Sequence, residues 1–320
     1  MRKRILLWTA GAAAVAVTVA SLAVAASRKP PRPAGPQGAA ELRAEKLEPR
    51  FERLKPVHTP KATPQPGEWL AVYPETGQSF EEYLQRKPVR PTPERRTIYF
   101  KPIGAFVGPR EKILQATAEY TSQFFGLPVK VLEPMSVAEI PEEARRINGF
   151  SDELQLNTIW VMEKKLEPQM PKDALALIGL TAVDLYPDPS WNFVFGEALP
   201  GKGIGIWSIA RFGDPSTPAG FARCLRRTVE TATHEIGHLF GVDHCVAWEC
   251  QMNGSNSLAE SDQAPLDVCP QCLQKLTWFS GVEPAQRFKS LARLAREQGF
   301  NADAALLEKQ AGLVAEPANK

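Results

Sequence analysis

The segment HEIGHLFGVDH (residues 234–244) holds three of the chain's four histidines within eleven positions. Histidines at positions i and i+4 share one face of a helix, so His234 and His238 can reach a single cation. Gly241 can end that helix, because glycine adopts a left-handed conformation without strain. The chain can then turn back and bring His244 to the same ion. This spacing predicts one metal site formed by the three histidines.

The helix that carries the first two histidines is predicted to begin near residue 217. Thr217 is a suitable N-cap, and Pro218 suits the first helical position. Six apolar residues recur at helical spacing and form one stripe: Leu225, Val229, Ala232, Ile236, Leu239 and Phe240. At about 100° per residue, both histidines point away from that stripe. We therefore expect them not to be core residues.

The chemistry of such a centre follows from its ligands. Three neutral imidazoles leave one zinc position open for water, which is typical of a catalytic rather than a structural zinc site. Zinc lowers the pKa of water to about 7 and polarises a carbonyl group. Glu235 lies beside the metal but projects differently, so we predict that it is the general base. It would take a proton from water and pass it to the leaving amine.

The cysteines define a second candidate site. Cys245 and Cys250 form one closely spaced pair, and Cys269 and Cys272 form another. Two such pairs separated by a loop can surround a tetrahedral zinc ion. In an oxidising compartment the same four residues could form disulfides instead. Cys224, the fifth, is expected to be a small, partly buried residue without a role.

The combined motif, HEIGHLFGVDHC followed by VAWECQM and by CPQC at 269–272, resembles the archaemetzincin family of metzincin zinc metallopeptidases. DLYP (184–187) and SWNFVFGEA (190–198) also look like family segments, and the resemblance covers about residues 67–300. It implies an α/β (α+β) fold with a mixed, largely parallel sheet, a long catalytic helix and a smaller C-terminal part.

The resemblance also implies residue roles. Two zinc ions per chain are expected, one catalytic and one structural. Met252 would form a hydrophobic floor beneath the catalytic metal, and the strand within GIGIWSIARF (203–212) would align an extended substrate along its edge. From the sequence pattern alone, Met252 is equally explained as a core residue and GIGIWSIARF as an ordinary strand of the sheet. The implied ligands are His234, His238 and His244 for the catalytic zinc and Cys245, Cys250, Cys269 and Cys272 for the structural zinc, with Glu235 as general base.

Strand-like and helix-like segments alternate along the globular region, which independently favours a largely parallel α/β sheet. We predict helices at 109–126 and 152–166. We predict strands at 97–103, within LPVKVLE (127–133), within 174–186, at 191–196 and within 203–212.

The N-terminal region is read as three successive parts. Residues 1–27 combine a basic start with 22 uncharged residues (5–26), which predicts either a cleaved signal peptide or a membrane anchor and therefore export to a periplasmic or extracellular location. Residues 28–66 contain nine prolines and are predicted to form an extended spacer. Residues 67–320 would then form the peptidase domain.

Charge and composition restrict the partners. The net charge is +2, and the basic excess falls in residues 1–60, with 11 basic and 4 acidic side chains. The remainder is mildly acidic, so no nucleic-acid partner is expected. We expect a monomer that acts on a peptide or protein substrate. A non-catalytic zinc-stabilised binding domain and a hydrolase of non-peptide amides remain as alternatives.

Four other residues have weaker assignments. His58 is expected to be solvated beside the spacer, and Arg226 and Arg227 to form a solvated face of the helix. Arg227 lies on the histidine side and could also contact substrate. Asp184 could be either structural or a residue of the cleft.

Overall fold

The computed structural model describes residues 36–315. The helices are α1 (Pro36–Ala44), α2 (Pro49–Glu52), α3 (Trp69–Val72), α4 (Phe80–Gln85), α5 (Pro109–Phe125), α6 (Thr158–Val161), α7 (Pro218–Leu239), α8 (Leu258–Ser261), α9 (Pro270–Ser280), α10 (Pro284–Glu297) and α11 (Asn301–Ala315). The strands are β1 (Thr97–Ile103), β2 (Val129–Val131), β3 (Arg145–Ile147), β4 (Leu154–Asn157), β5 (Ala174–Thr181), β6 (Asp184–Tyr186), β7 (Gly196–Leu199) and β8 (Ile204–Ser208).

The predicted signal or anchor at residues 1–27 lies outside the described part of the chain. Within residues 36–315, no helix combines the length and apolar character needed to cross a membrane.

The main sheet has the order β2-β1-β5-β8-β7. All its neighbouring pairs are parallel except β7 with β8, which is antiparallel. Every residue of β5 is buried, as expected for a central strand covered on both faces. A smaller sheet has the order β3-β4-β6. The prediction of a mixed, largely parallel sheet is confirmed.

Three predictions about individual elements are wrong: two concern strands and one concerns a helix. The strand β8 within GIGIWSIARF is not an edge strand, because β7 pairs along its outer side from Gly196–Trp207 to Leu199–Ile204. β7 therefore occupies the edge of the main sheet, and most of the strand predicted at 191–196 is a connecting segment before it.

The helix predicted from residue 152 begins only at Thr158, because residues 154–157 pair with β3 and β6. The Asn157 side chain caps that helix by accepting a hydrogen bond from the Trp160 N–H.

The segment before β1, residues 36–86, is here called the N-terminal arm. The prediction of an extended spacer is wrong for its residues 36–66, because they pack onto the rest of the chain. Leu47, Phe51 and Leu54 are buried, with at most 4% of their surface exposed. Phe51 lies in α2, and Leu47 and Leu54 flank that short helix on either side. The high proline content hides this short apolar pattern.

The long helix α7 has the predicted boundaries. The Thr217 side chain accepts a hydrogen bond from the Gly220 N–H at 3.1 Å, and Pro218 is the first helical residue. Gly241 adopts a positive φ of 86° immediately after the helix. The predicted apolar stripe belongs to the main core, beneath α5 and the sheet. The opposite face of α7 is consequently left for the candidate site.

Candidate active site

The three histidines of the motif meet at one point. Their candidate ligand atoms all lie within 4.8 Å of one another, and Nε2 of His234 is 2.9 Å from Nε2 of His238. Nε2 of His244 is buried and has no hydrogen-bond partner. A buried nitrogen without a partner is costly unless something at the site engages its lone pair. The donor set and its spacing therefore fit a single metal cation.

Each imidazole has a hydrogen-bond partner at Nδ1, the ring nitrogen opposite the one that faces the common point. Nδ1 of His234 lies 2.9 Å from the Gln251 carbonyl oxygen, and Nδ1 of His238 lies 2.7 Å from that of Val242. Nδ1 of His244 faces the Glu75 carboxylate instead, at 2.9 Å. These acceptors favour the tautomer in which Nδ1 carries the proton and Nε2 offers its lone pair to the centre.

The electrostatics of the site favour neutral imidazoles at two of the three positions. Burial lowers the pKa of His234 to about 4 and also lowers that of His238 far below its ordinary value. Burial acts in the same direction on His244, but the hydrogen bond and charge of Glu75 raise its pKa overall. Neutral imidazole is the form that binds a metal.

Glu235 is only 7% exposed, and no hydrogen bond from the described residues reaches its carboxylate. Burial raises its pKa to about 7, which the nearby His244 partly opposes. The group is therefore available to exchange a proton with a water molecule near neutral pH.

Met252 lies in a tight turn beneath the helix. A Cβ atom placed on Gly237 would come within 2.6 Å of the Met252 Sδ, so the sulfur packs directly against the α7 backbone between the two histidines. The Met252 carbonyl accepts a 2.7 Å hydrogen bond from the Cys245 N–H. The Asn253 side chain donates to the carbonyls of Cys245 and Trp248. The turn is thus anchored to the segment that follows His244.

The four cysteines of the second candidate site are all buried, and their Sγ atoms lie within 4.8 Å of one another. Cys245 and Cys269 are separated by 3.7 Å between sulfurs. A tetrahedral zinc with bonds of about 2.3 Å places its sulfurs about 3.8 Å apart. The N–H groups of Met252 and Cys269 point at the Cys250 Sγ, at 3.4 and 3.2 Å. Four thiols around one centre fit a metal better than two disulfides.

A cavity of about 230 Å³ opens beside the histidines, between α7, the segment after Met252 and the N-terminal arm. His234 and Glu235 line one end of it. Arg227 lines another part, and its guanidinium makes two hydrogen bonds of 2.7 and 2.6 Å to the Asp262 carboxylate. The cavity leaves open space next to His234 and Glu235.

Several residues differ from their sequence-based interpretation. Arg226 and Arg227 do not form a solvated face, because each binds an acidic partner from another element, Asp303 and Asp262 respectively. His58 is half-buried; its ring packs edge-on against Trp248, and its Nε2 lies 2.7 Å from the Gln310 side-chain nitrogen.

Asp184 has a structural position. The residue is 2% exposed, and its carboxylate accepts hydrogen bonds of 2.7 and 2.9 Å from the Arg211 guanidinium. Cys224 is fully buried in the core and lies apart from the cysteine cluster.

Two site residues were missed by the motif-based prediction. Glu75 and Trp69 come from the N-terminal arm, and both contact His244. The Glu75 carboxylate contacts the His244 Nδ1. The Trp69 indole packs edge-on against the imidazole, with the ring centres 5.1 Å apart. Glu75 is 169 residues from His244 in sequence. No local spacing or periodicity could have signalled this contact.

These features define a class: an α/β protein with three histidines and a free carboxylate at a cleft is organised as a zinc metallopeptidase. Comparison with known proteins narrows the class. The family model described as Peptidase family M54 matches residues 130–278. Archaemetzincin-2 of Homo sapiens is 35% identical over 276 residues, which cover 76% of each chain. Archaemetzincin-2 of Mus musculus is 33% identical, covering 82% of this chain and 81% of the relative.

Solved archaemetzincin structures also align with the chain. The protein of Methanopyrus kandleri has 29% identity and a TM-score of 0.47, covering 59% of this chain and 98% of its own. That of Archaeoglobus fulgidus, complexed with malonate, has 26% identity and a TM-score of 0.44, covering 56% and 99%. On the strength of its sequence relatives, the chain belongs to the archaemetzincin family, peptidase family M54, and is a zinc metallopeptidase.

Proposed function

We propose that the chain hydrolyses peptide bonds in the cleft beside α7, with a catalytic zinc held by His234, His238 and His244. The observation that carries this proposal is the meeting of three imidazoles at one point, where Nε2 of His244 has no other partner. Zinc, when bound there, supplies the Lewis acidity that polarises a carbonyl and acidifies water. The cavity next to His234 provides room for a substrate side chain.

Glu235 is proposed as the general base. Its carboxylate is buried, is free of hydrogen bonds from the described residues and lies on the cavity wall. A cation among the three imidazoles would favour the charged carboxylate, which is the form that accepts a proton. Glu235 would take a proton from the attacking water and deliver it to the departing amine, so that one group serves both halves of the reaction.

A second, structural zinc is proposed at Cys245, Cys250, Cys269 and Cys272, which makes two zinc ions per chain. The convergence of the four buried sulfurs supports this assignment. Cys245 directly follows His244, so the second metal would also fix the end of the catalytic segment.

A digest of a peptide library, with and without a zinc chelator, tests the catalytic proposal. Glu235→Gln should retain its zinc content and lose about 10²–10⁴-fold in cleavage rate, the contribution typical of general-base catalysis. Glu297→Gln, at an exposed position on α10, serves as the control and should cleave at the wild-type rate. Undiminished cleavage by Glu235→Gln would contradict the base assignment. A zinc-loaded wild-type chain that cleaves no peptide would favour a binding domain or a hydrolase of other amides.

Export and a monomeric state are also proposed. The basic residues at positions 2–4 and the 22 uncharged residues after them support a signal peptide or an anchor. N-terminal sequencing of the mature protein, together with cell fractionation, distinguishes a cleaved leader from a retained anchor. An intact N-terminus in the cytosolic fraction would contradict export.

The monomeric state is tested separately, by measuring the molar mass of the purified chain in solution with light scattering.

A further inference from the structure

The third histidine is the least supported by its own element. His234 and His238 are fixed by α7, but His244 follows Gly241 and lies on a connecting segment. A side chain on a loop needs external contacts to keep the precise orientation that a metal ligand requires. For His244 those contacts come from the N-terminal arm, which lies outside the family match at residues 130–278.

Glu75 makes the decisive contact. Its two carboxylate oxygens lie 2.9 and 3.0 Å from the His244 Nδ1, and one of them also accepts a 2.8 Å hydrogen bond from the Trp69 indole N–H. The His244 side chain is 2% exposed and that of Glu75 is 22% exposed, so this contact is largely shielded from solvent. His234 and His238 have neutral carbonyl acceptors at the same ring atom. Among the three imidazoles, His244 is the one with a charged acceptor.

The geometry of Trp69 holds Glu75 in place. Its ring packs edge-on against His244 and sits over Gly254, where a Cβ atom would come within 2.4 Å of the indole. The Trp69 backbone N–H is bound by the Glu260 carboxylate at 3.0 Å. The indole is therefore fixed between the histidine segment and the turn after Met252, with its N–H directed at Glu75.

Other residues of the arm bind the same histidine segment. The Gln78 side chain donates to the Gly241 carbonyl at 3.0 Å and accepts from the Asp243 N–H at 3.3 Å. The Tyr83 hydroxyl donates to the Phe240 carbonyl at 3.2 Å. Because the backbone between Phe240 and Asp243 has these separate supports, removing the Glu75 carboxylate should leave the loop in place. The effect of Glu75 can then be separated from that of the arm as a whole.

We propose that Glu75 is a positioning residue of the catalytic zinc site, which fixes the proton of His244 on Nδ1, orients its ring and strengthens its bond to the metal. A carboxylate that accepts from the distal nitrogen makes the imidazole a better electron donor to zinc. The inference rests on the proposed function, because it requires a zinc ion at the three histidines.

The test measures metal binding by the full-length chain rather than turnover. The variants are Glu75→Ala, which removes the acceptor, and Glu75→Gln, which keeps its shape but not its charge. Glu81→Gln, an exposed substitution on α4 of the same arm, is the matched control. Zinc affinity of the histidine site is measured by competition with a chromophoric chelator. Cobalt(II) substitution reports the same site through its visible bands, while thiolate charge-transfer bands report the cysteine site separately.

Glu75→Ala should weaken zinc binding at the histidine site about 10–100-fold, the range for loss of such a partner. Glu75→Gln should give a smaller loss, and both should alter the cobalt bands of the histidine site without changing the thiolate bands. Glu81→Gln should match the wild type. A purely structural role predicts lower thermal stability with unchanged zinc affinity and spectrum, and that result would overturn the proposal.

If Glu75→Ala fails to fold, as judged by loss of the thiolate bands, Glu75→Gln decides the question. If the zinc affinity of Glu75→Gln is within twofold of the wild type and its cobalt spectrum is unchanged, the proposed role of Glu75 is overturned. The proposed function of the chain is not affected by that result. A wild-type chain whose histidine site binds no zinc overturns the proposed function and this inference together, and it is detected before any variant is made.

Discussion

Gly237 illustrates, at the scale of a single residue, how the motif and the fold depend on each other. It lies between His234 and His238, where the Met252 sulfur fills the space that a side chain would need, 2.6 Å from an added Cβ. Gly237→Ala is expected to lower the free energy of unfolding by about 1–3 kcal/mol through overpacking, although alanine favours the helix itself. Urea denaturation measures this change.

Gly312→Ala provides the matched control for that substitution. Gly312 is an exposed residue of α11, and an added Cβ meets nothing within 4 Å. The same exchange should there raise stability by about 0.5–1 kcal/mol, because only the helix preference operates. Equal effects at the two glycines would contradict the packing role of Met252.

Glu230 is the residue from which a pH dependence of stability can be predicted. Burial raises its pKa from 4.5 to about 8, against the opposing charge of Arg226. The folded chain therefore holds this proton more tightly than the unfolded chain, so the stability contribution is complete below pH 4.5 and is lost as the pH rises through about 8. The Glu230→Gln side chain cannot ionise, so this variant should lose less stability than the wild type as the pH rises from 4.5 to about 8.

Thermal unfolding at a series of pH values checks the Glu230 prediction. The Tm of Glu230→Gln relative to wild type should rise between about pH 5 and pH 9. Glu297→Gln, at an exposed position, controls for the change in net charge. A relative Tm for Glu230→Gln that falls over the same interval would show that the carboxylate is stabilised as an anion by Arg226 instead.

The sequence was most informative at the residues whose relation is local. His234 and His238 share a helix face, Gly241 has the positive φ that the motif requires, and Thr217 caps the helix as predicted. Glu75 could not be found in this way, because it meets His244 across 169 residues and only the folded arm joins them.

At the scale of elements, the proline-rich composition of the N-terminal arm led to a wrong prediction. Nine prolines over residues 28–66 favour an extended spacer, yet Phe51 of α2 is fully buried in the main core. Phe51→Ala should lower the free energy of unfolding by about 3–5 kcal/mol, the cost of truncating a buried aromatic side chain. Phe150→Ala changes the same residue type at a site that is 86% exposed and should change stability by less than about 0.5 kcal/mol.

Urea denaturation of the two phenylalanine variants tests whether the arm belongs to the folded domain. Similar small effects for both variants would contradict the packing of residues 36–66 onto the folded domain.

The order of the strands also could not be predicted from the sequence alone. Hydrophobic runs locate β5 and β8, but only tertiary pairing decides that β7 takes the edge beside β8.

At the scale of the whole molecule, the candidate metal centres are joined through one peptide bond. Cys245 follows His244, its N–H binds the Met252 carbonyl and its own carbonyl binds Asn253. If the cysteines hold zinc, Cys272→Ser should reduce the metal count from two to one and lower Tm, because a structural zinc contributes directly to folding. It should also slow peptide cleavage, because the support of His244 is weakened.

Cys224→Ser separates loss of metal from loss of a buried thiol. Cys224 is fully buried but lies outside the cluster of four, so its replacement should leave both zinc ions and the cleavage rate unchanged. Elemental analysis and a thiol titration of the denatured, metal-free wild type complete the test. Five free thiols with two zinc ions match the proposal, since zinc keeps its cysteine ligands reduced. One zinc ion and a single free thiol would instead assign the four clustered cysteines to disulfides, and the catalytic segment would then be fixed by covalent bonds rather than by a second metal.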